Sequence, residues 1–185
     1  MYVADNLSAA GQWEAAKAFL DGQELPPTSG ESTDIVYRYL DFARARIELD
    51  RGDVQAARRI LPDFSKLDDF ERATGWRLDM YGEIECALGD KAKGLSQLHA
   101  AVEDARASDG EDAPNTVNLV AKIGLCALAA GDVTQAQAMA ISAQRLSDGN
   151  PGASAYLMAP LVKLKSALAS PHKRVQISRG LSYFG

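Results

Sequence analysis

"LDRGDVQAARRILP", residues 49–62, carries a Gly-Asp pair after an apolar helical run, then two alanines three and four residues beyond the Asp. The phrase returns as "ALGDKAKGLSQL" at 87–98 and "AAGDVTQAQAMAI" at 129–141, and more loosely as "AAGQWEAAKAFL" at 9–20. Anchored on Gly11, Gly52, Gly89 and Gly131, the copies stand 41, 37 and 42 residues apart. Recurrence at such a period marks an array of small units, each burying its apolar face on its neighbours.

The aligned columns have a mechanical reading. A first helix, A, ends at the anchor glycine, which enters the left-handed conformation at little steric cost. The next residue is Gln12, then Asp53, Asp90 and Asp132, and an Asp there caps the following helix, B. Seven residues before the anchor stand Ala4, Ala45, Gly82 and Gly124, and five after it Ala16, Ala57, Gly94 and Ala136, all small enough for A and B to approach closely. Nine after it stand Leu20, Leu61, Leu98 and Ala140, expected to fill the space between hairpins. Low aromatic content (7%) and abundant alanine also favour packed helices over a β-sandwich.

These columns resemble the tetratricopeptide repeat family, whose pattern has a small residue midway along helix A, a Gly-Asp turn and an alanine five residues after the glycine. "YGEIECALGDKAKG" (81–94) and "IGLCALAAGDVTQA" (123–136) match it best, and "DGEDAPNTVNLVAKIGLCALAAGD" (109–132) is similar to the longer variant in which Pro-x-Thr opens helix A. The likeness covers about residues 1–147. It implies an all-α fold, a right-handed α-solenoid of about four hairpins with a C-terminal capping helix. It also implies a concave groove lined by helix A at 13, 10, 6 and 3 residues before the anchor. Those positions are Tyr39, Phe42, Arg46 and Leu49; then Trp76, Asp79, Glu83 and Cys86; then Asn118, Ala121, Leu125 and Leu128. Tyr39, Phe42, Arg46, Leu49, Trp76, Asp79, Glu83, Asn118 and Leu125 form the expected partner-binding set, suited to a peptide with apolar and charged side chains. The plainer alternative is that Tyr39, Phe42 and Trp76 are core.

Helices are expected at about 2–9, 12–21, 32–50, 53–61, 69–88, 90–107, 115–130, 132–147 and 153–169, with loops where Pro26-Pro27 and "SDGEDAP" resist helix. The last helix carries Leu157, Leu161, Leu164 and Leu168 on one stripe and reads as a cap, with Pro160 expected to kink it or shift its start. The stripe Val36, Leu40, Ala43, Ile47 lies one residue off the register of the later repeats. Helix A of the first repeat can begin only near Met1, so the sequence reads as part of a longer protein or a trimmed chain.

Residues 1–170 thus form the repeat domain and 171–185 a basic, extended tail in which Val175, Ile177, Leu181 and Tyr183 alternate with polar residues. Residues 1–148 hold 15 Lys/Arg against 25 Asp/Glu, whereas 149–185 hold five basic residues and no acid. An acidic body argues against nucleic acid as the body's partner. The tail reads either as a frayed terminus or as a segment that docks on the acidic repeats or on a second copy; the short first repeat offers another route to self-association.

Catalytic chemistry has little to stand on. His99 and His172 are the two histidines, far apart in sequence, and no phosphate-cradling or nucleophile-elbow motif occurs, so neither enzyme activity, metal nor cofactor is expected. Asp68-Asp69 and Glu111-Asp112 sit at helix starts, where they complement the macrodipole. Cys86 and Cys126 lie in apolar helical patterns and read as two buried thiols, since two cysteines without a CxxC pair are no disulfide framework. No apolar run is long enough for a membrane span, and "MYVADNLSAAG" lacks the basic and apolar regions of a signal peptide, which points to the cytoplasm. The reading is a noncatalytic module that binds a protein or peptide. Its rivals are a regulatory or sensory arm of a larger signalling or transcription-regulating protein, and a secretion or assembly chaperone.

Overall fold

The computed structural model describes residues 2–23, 31–62, 64 and 75–170. Among these every regular element is a helix: α1 (Tyr2–Ala9), α2 (Trp13–Asp21), α3 (Glu31–Arg51), α4 (Val54–Ile60), α5 (Gly75–Leu88), α6 (Lys91–Asp109), α7 (Pro114–Ala129), α8 (Val133–Asp148) and α9 (Ala155–Ala169). The expected boundaries hold to within two residues, except that the span expected over 69–74 lies outside the described residues. So does the tail, with its strand-like alternation.

The Gly-Asp phrase makes the turns. Gly11, Gly52, Gly89 and Gly131 have φ of 74°, 90°, 108° and 86°. At Gly52 the glycine N–H donates to Leu49 O (3.0 Å) and the Asp53 N–H to Glu48 O (2.9 Å), the paired bonds of a Schellman ending. Gly11 and Gly131 repeat that pair, whereas Gly89 makes the single bond to Glu85 O, at 3.1 Å. The Asp53, Asp90 and Asp132 carboxylates accept from the N–H groups of Ala56 (2.8 Å), Lys93 (3.1 Å) and Gln135 (2.8 Å), capping α4, α6 and α8. Gln12 holds the same place before α2 but makes no side-chain cap.

The described residues divide into two compact units, 2–62 and 64–170. In the first, α1 packs against α2 and α3, and α3 against α4. The stripe Leu40, Ala43, Ile47 buries itself with Ala4, Ala16 and Leu20 of α1 and α2. Its register therefore serves the face toward the preceding hairpin; the Val36 side chain lies outside those described.

In the second unit α5 and α6, then α7 and α8, form hairpins, with α7 also against α5 and α6. The small-residue columns are contact points: a Cβ on Gly94 would stand 2.7 Å from Gly82 O, so the α5 and α6 backbones touch. Leu98 lies beside Gly82 of its own hairpin and belongs to the core cluster that also holds Val117 and Val120 of α7. Helix α9 covers α7 and α8, burying Leu164 and Ala167 with Leu125, Leu128 and Ala136, which is the capping role expected of it. Pro160 sits within α9, whose start at Ala155 is not displaced to it.

Candidate functional site: the α5–α7 seam

Helix α7 is buried along its whole length from Thr116 to Ala129, and one charge, Lys122, falls inside that run. An ammonium cannot be buried alone. Asp79 and Glu83, four residues apart on one face of α5, meet it: Lys122 Nζ donates to Glu83 Oε1 at 2.8 Å and to Asp79 Oδ2. All three residues are less than a tenth exposed. One turn further along both helices, Cys86 and Cys126 form a disulfide, with Cα atoms 5.5 Å apart. This corrects the expectation of two separate buried thiols. Their partnership was hidden because they occupy different columns of the repeat, three and five residues before their glycines.

Lys91, at the start of α6, donates from Nζ to the Cys86 carbonyl oxygen. Its partial burial lowers the ammonium pKa below the ordinary lysine value, because the charged form loses hydration there.

The groove set falls differently from its expected role. Asp79 and Glu83 do not project into open space; their carboxylates hold Lys122. The positions ten and six residues before the glycine in one hairpin are thus spent on the next hairpin's first helix. Asn118 is also turned inward, donating from Nδ2 to Leu157 O at 3.2 Å and so tying α7 to α9. Ala121, Leu125 and Leu128 are buried, as is Cys86. In the first unit Phe42, Arg46 and Leu49 are buried and Tyr39 is half-buried. The Arg46 guanidinium lies 3.9 Å from Asp50, whose carboxylate accepts from Ser8 Oγ at 2.7 Å. The Trp76 side chain lies outside those described. Thus the core alternative weighed for the aromatics fits Phe42.

Lys122 is the residue that sequence reasoning passed over. Its signal was available: a single charge within "TVNLVAKIGLCALAA", 116–130, has no polar face to lie on and demands buried partners. Of the histidines, His99 is exposed on α6, as a helix-surface residue should be, and His172 lies outside the described residues. Glu111 and Asp112 are exposed ahead of α7, while Asp68 and Asp69 are not among the described residues.

The chemistry of the seam is adhesive. The ammonium and both carboxylates answer one another, and both sulfurs are joined. No helix among the described residues is long and apolar enough to cross a membrane. Compared with protein-family models, with curated proteins and with solved structures, the chain matches none.

Proposed function

We propose that this protein is a noncatalytic helical-repeat module, arranged as a TPR-like right-handed solenoid, that binds a protein or peptide partner. The observation that supports the reading is the turn device. The same glycine conformation and hydrogen bonding recur at Gly11, Gly52 and Gly131, and the same Asp cap at Asp53, Asp90 and Asp132. A chain that spends repeated, matched turns on stacking hairpins builds an extended surface, which is the common use of such arrays. The buried charges and sulfurs support it too, since they stitch first helix to first helix and leave recognition to the outward faces.

The test is an affinity pull-down with the intact protein, read by mass spectrometry and followed by titration of each recovered candidate in purified form. Saturable binding of one purified partner at defined stoichiometry supports the module. Recovery of nothing above a denatured-bait control, together with turnover of a small molecule by the pure protein, overturns it.

A further inference from the structure

We infer that Cys86–Cys126 is a structural disulfide, closed during folding and kept closed in the native protein, and not a bond that opens and closes as a switch. The inference is independent of the partner-binding reading.

Four observations carry it. The Cα separation of 5.5 Å is the commonest for bridged cysteines. Both cysteines are buried, at 0% and 1% exposure, so no thiol can approach either sulfur in line while α5 and α7 stay together. The packing is built around the sulfur: Gly94 has no Cβ where Cys86 Sγ lies, and a methyl there would collide with it. The seam is also held one turn away by Lys122, Asp79 and Glu83, so exposing the bond means breaking a buried ionic cluster. Exposed or strained bridges are the ones that cells open and close; a covered one inside a packed seam resists the cytosolic glutathione pool.

Closure follows ordinary exchange and needs an external disulfide, such as glutathione disulfide. One cysteine thiolate attacks it, forming a mixed disulfide and releasing one glutathione thiolate. The second cysteine thiolate then attacks the mixed disulfide at the protein sulfur, forming Cys86–Cys126 and releasing the second. Two electrons and two protons pass from the protein dithiol to two glutathione molecules. Because the product is covered, this step belongs to folding, before α7 settles on α5. The bond spans 40 residues of sequence, a long loop, so its constraint on the unfolded chain is large.

The experiment uses the full chain, reduced and unfolded, then refolded in a glutathione buffer at the poise of secretory compartments. Alkylation under denaturing conditions followed by intact mass should find no free thiol. Transferred natively to a buffer at the cytosolic poise, the protein should keep the bond for hours. Reduction after denaturation, then refolding with reductant present, should lower Tm by on the order of 10 °C. The Cys86→Ala/Cys126→Ala variant should melt with the reduced protein; if it does not fold, reduced against oxidised wild type still decides. Two free thiols after oxidative refolding, native opening at the cytosolic poise, or an unchanged Tm would each overturn the inference.

Discussion

Lys122 Nζ lies 2.8 Å from Glu83 Oε1, joining two helices that are first in their respective hairpins. Replacing this lysine leaves Asp79 and Glu83 buried, close together and without their ammonium. Removing one partner of a buried ionic group costs about 3–5 kcal/mol, much more than an exposed pair contributes. Lys122→Met should therefore lower stability by about 4 kcal/mol, measured as a fall in urea midpoint. Adding Asp79→Leu and Glu83→Leu to it should restore most of the loss, since apolar replacement of a buried cluster is often neutral. Equal stability of Lys122→Met and wild type would show that the cluster is solvated.

The same geometry sets the outcome of changing Arg46, Asp79 and Glu83 together to alanine. All three are buried, so the triple variant should lose cooperative unfolding as well as any partner binding. Intact helicity and an unchanged melting curve would return these residues to the groove.

Two glycines separate two kinds of strain. At Gly131, with φ of 86°, an added methyl meets nothing within 4 Å, so Gly131→Ala pays for backbone conformation alone, about 1 kcal/mol. At Gly94 the backbone is ordinary helix, but a methyl would stand 2.7 Å from Gly82 O and nearer still to Cys86 Sγ. Gly94→Ala should force α5 and α6 apart and cost about 1–3 kcal/mol despite its better helix propensity. Thermal unfolding of both variants checks the ordering. A stabilised Gly94→Ala would mean the hairpin is looser than described.

What was legible in the sequence follows from which physics is local. A left-handed glycine, an Asp cap and a small residue at a backbone crossing each act over a few residues, so Gly52, Asp53 and Ala57 announce a hairpin by themselves. The partnership of Lys122 with Asp79, 43 residues away, depends on the register between two helices brought side by side by the fold. The family-like pattern did place Asp79 and Glu83 on one face of their helix. It could not show that the next hairpin's first helix occupies that face, because this depends on the offset between α5 and α7 in the fold. The cysteines were obscured for the same reason, since bridging requires the offset between α5 and α7 rather than any spacing within a motif.

Gln12 offers a gain rather than a loss. It precedes α2 with φ −89° and ψ 55°, close to the −85° and 72° of Asp53, yet its side chain caps nothing. The backbone is already arranged for a shorter acceptor to reach the free N–H groups of the first turn. Gln12→Asp should stabilise the first unit by about 0.5–1 kcal/mol, with a further small gain from the helix dipole. Hydrogen exchange of the α2 amides checks it. Unchanged protection there would mean that α2 opens without its first turn being the weak point.

Lys91 links the seam to pH. Burial lowers its pKa below 10.5, so the folded chain gives up this proton at lower pH than the unfolded chain does. Between the lowered folded value and 10.5 the unfolded state therefore binds more protons, and stability contributed through this group rises with pH across that window. Below the window both states carry the charge, and the folded one bears its desolvation. Because the side chain is only half-buried, the effect is screened, and the hydrogen bond to Cys86 O offsets part of it. A side-chain NMR titration should place the Lys91 midpoint below those of the exposed lysines. Lys91→Gln, which keeps a donor without the charge, should flatten the rise in unfolding free energy over the same window. A Lys91 midpoint equal to the others, or a slope that Lys91→Gln leaves unchanged, would mean that this ammonium stays fully hydrated beside the disulfide.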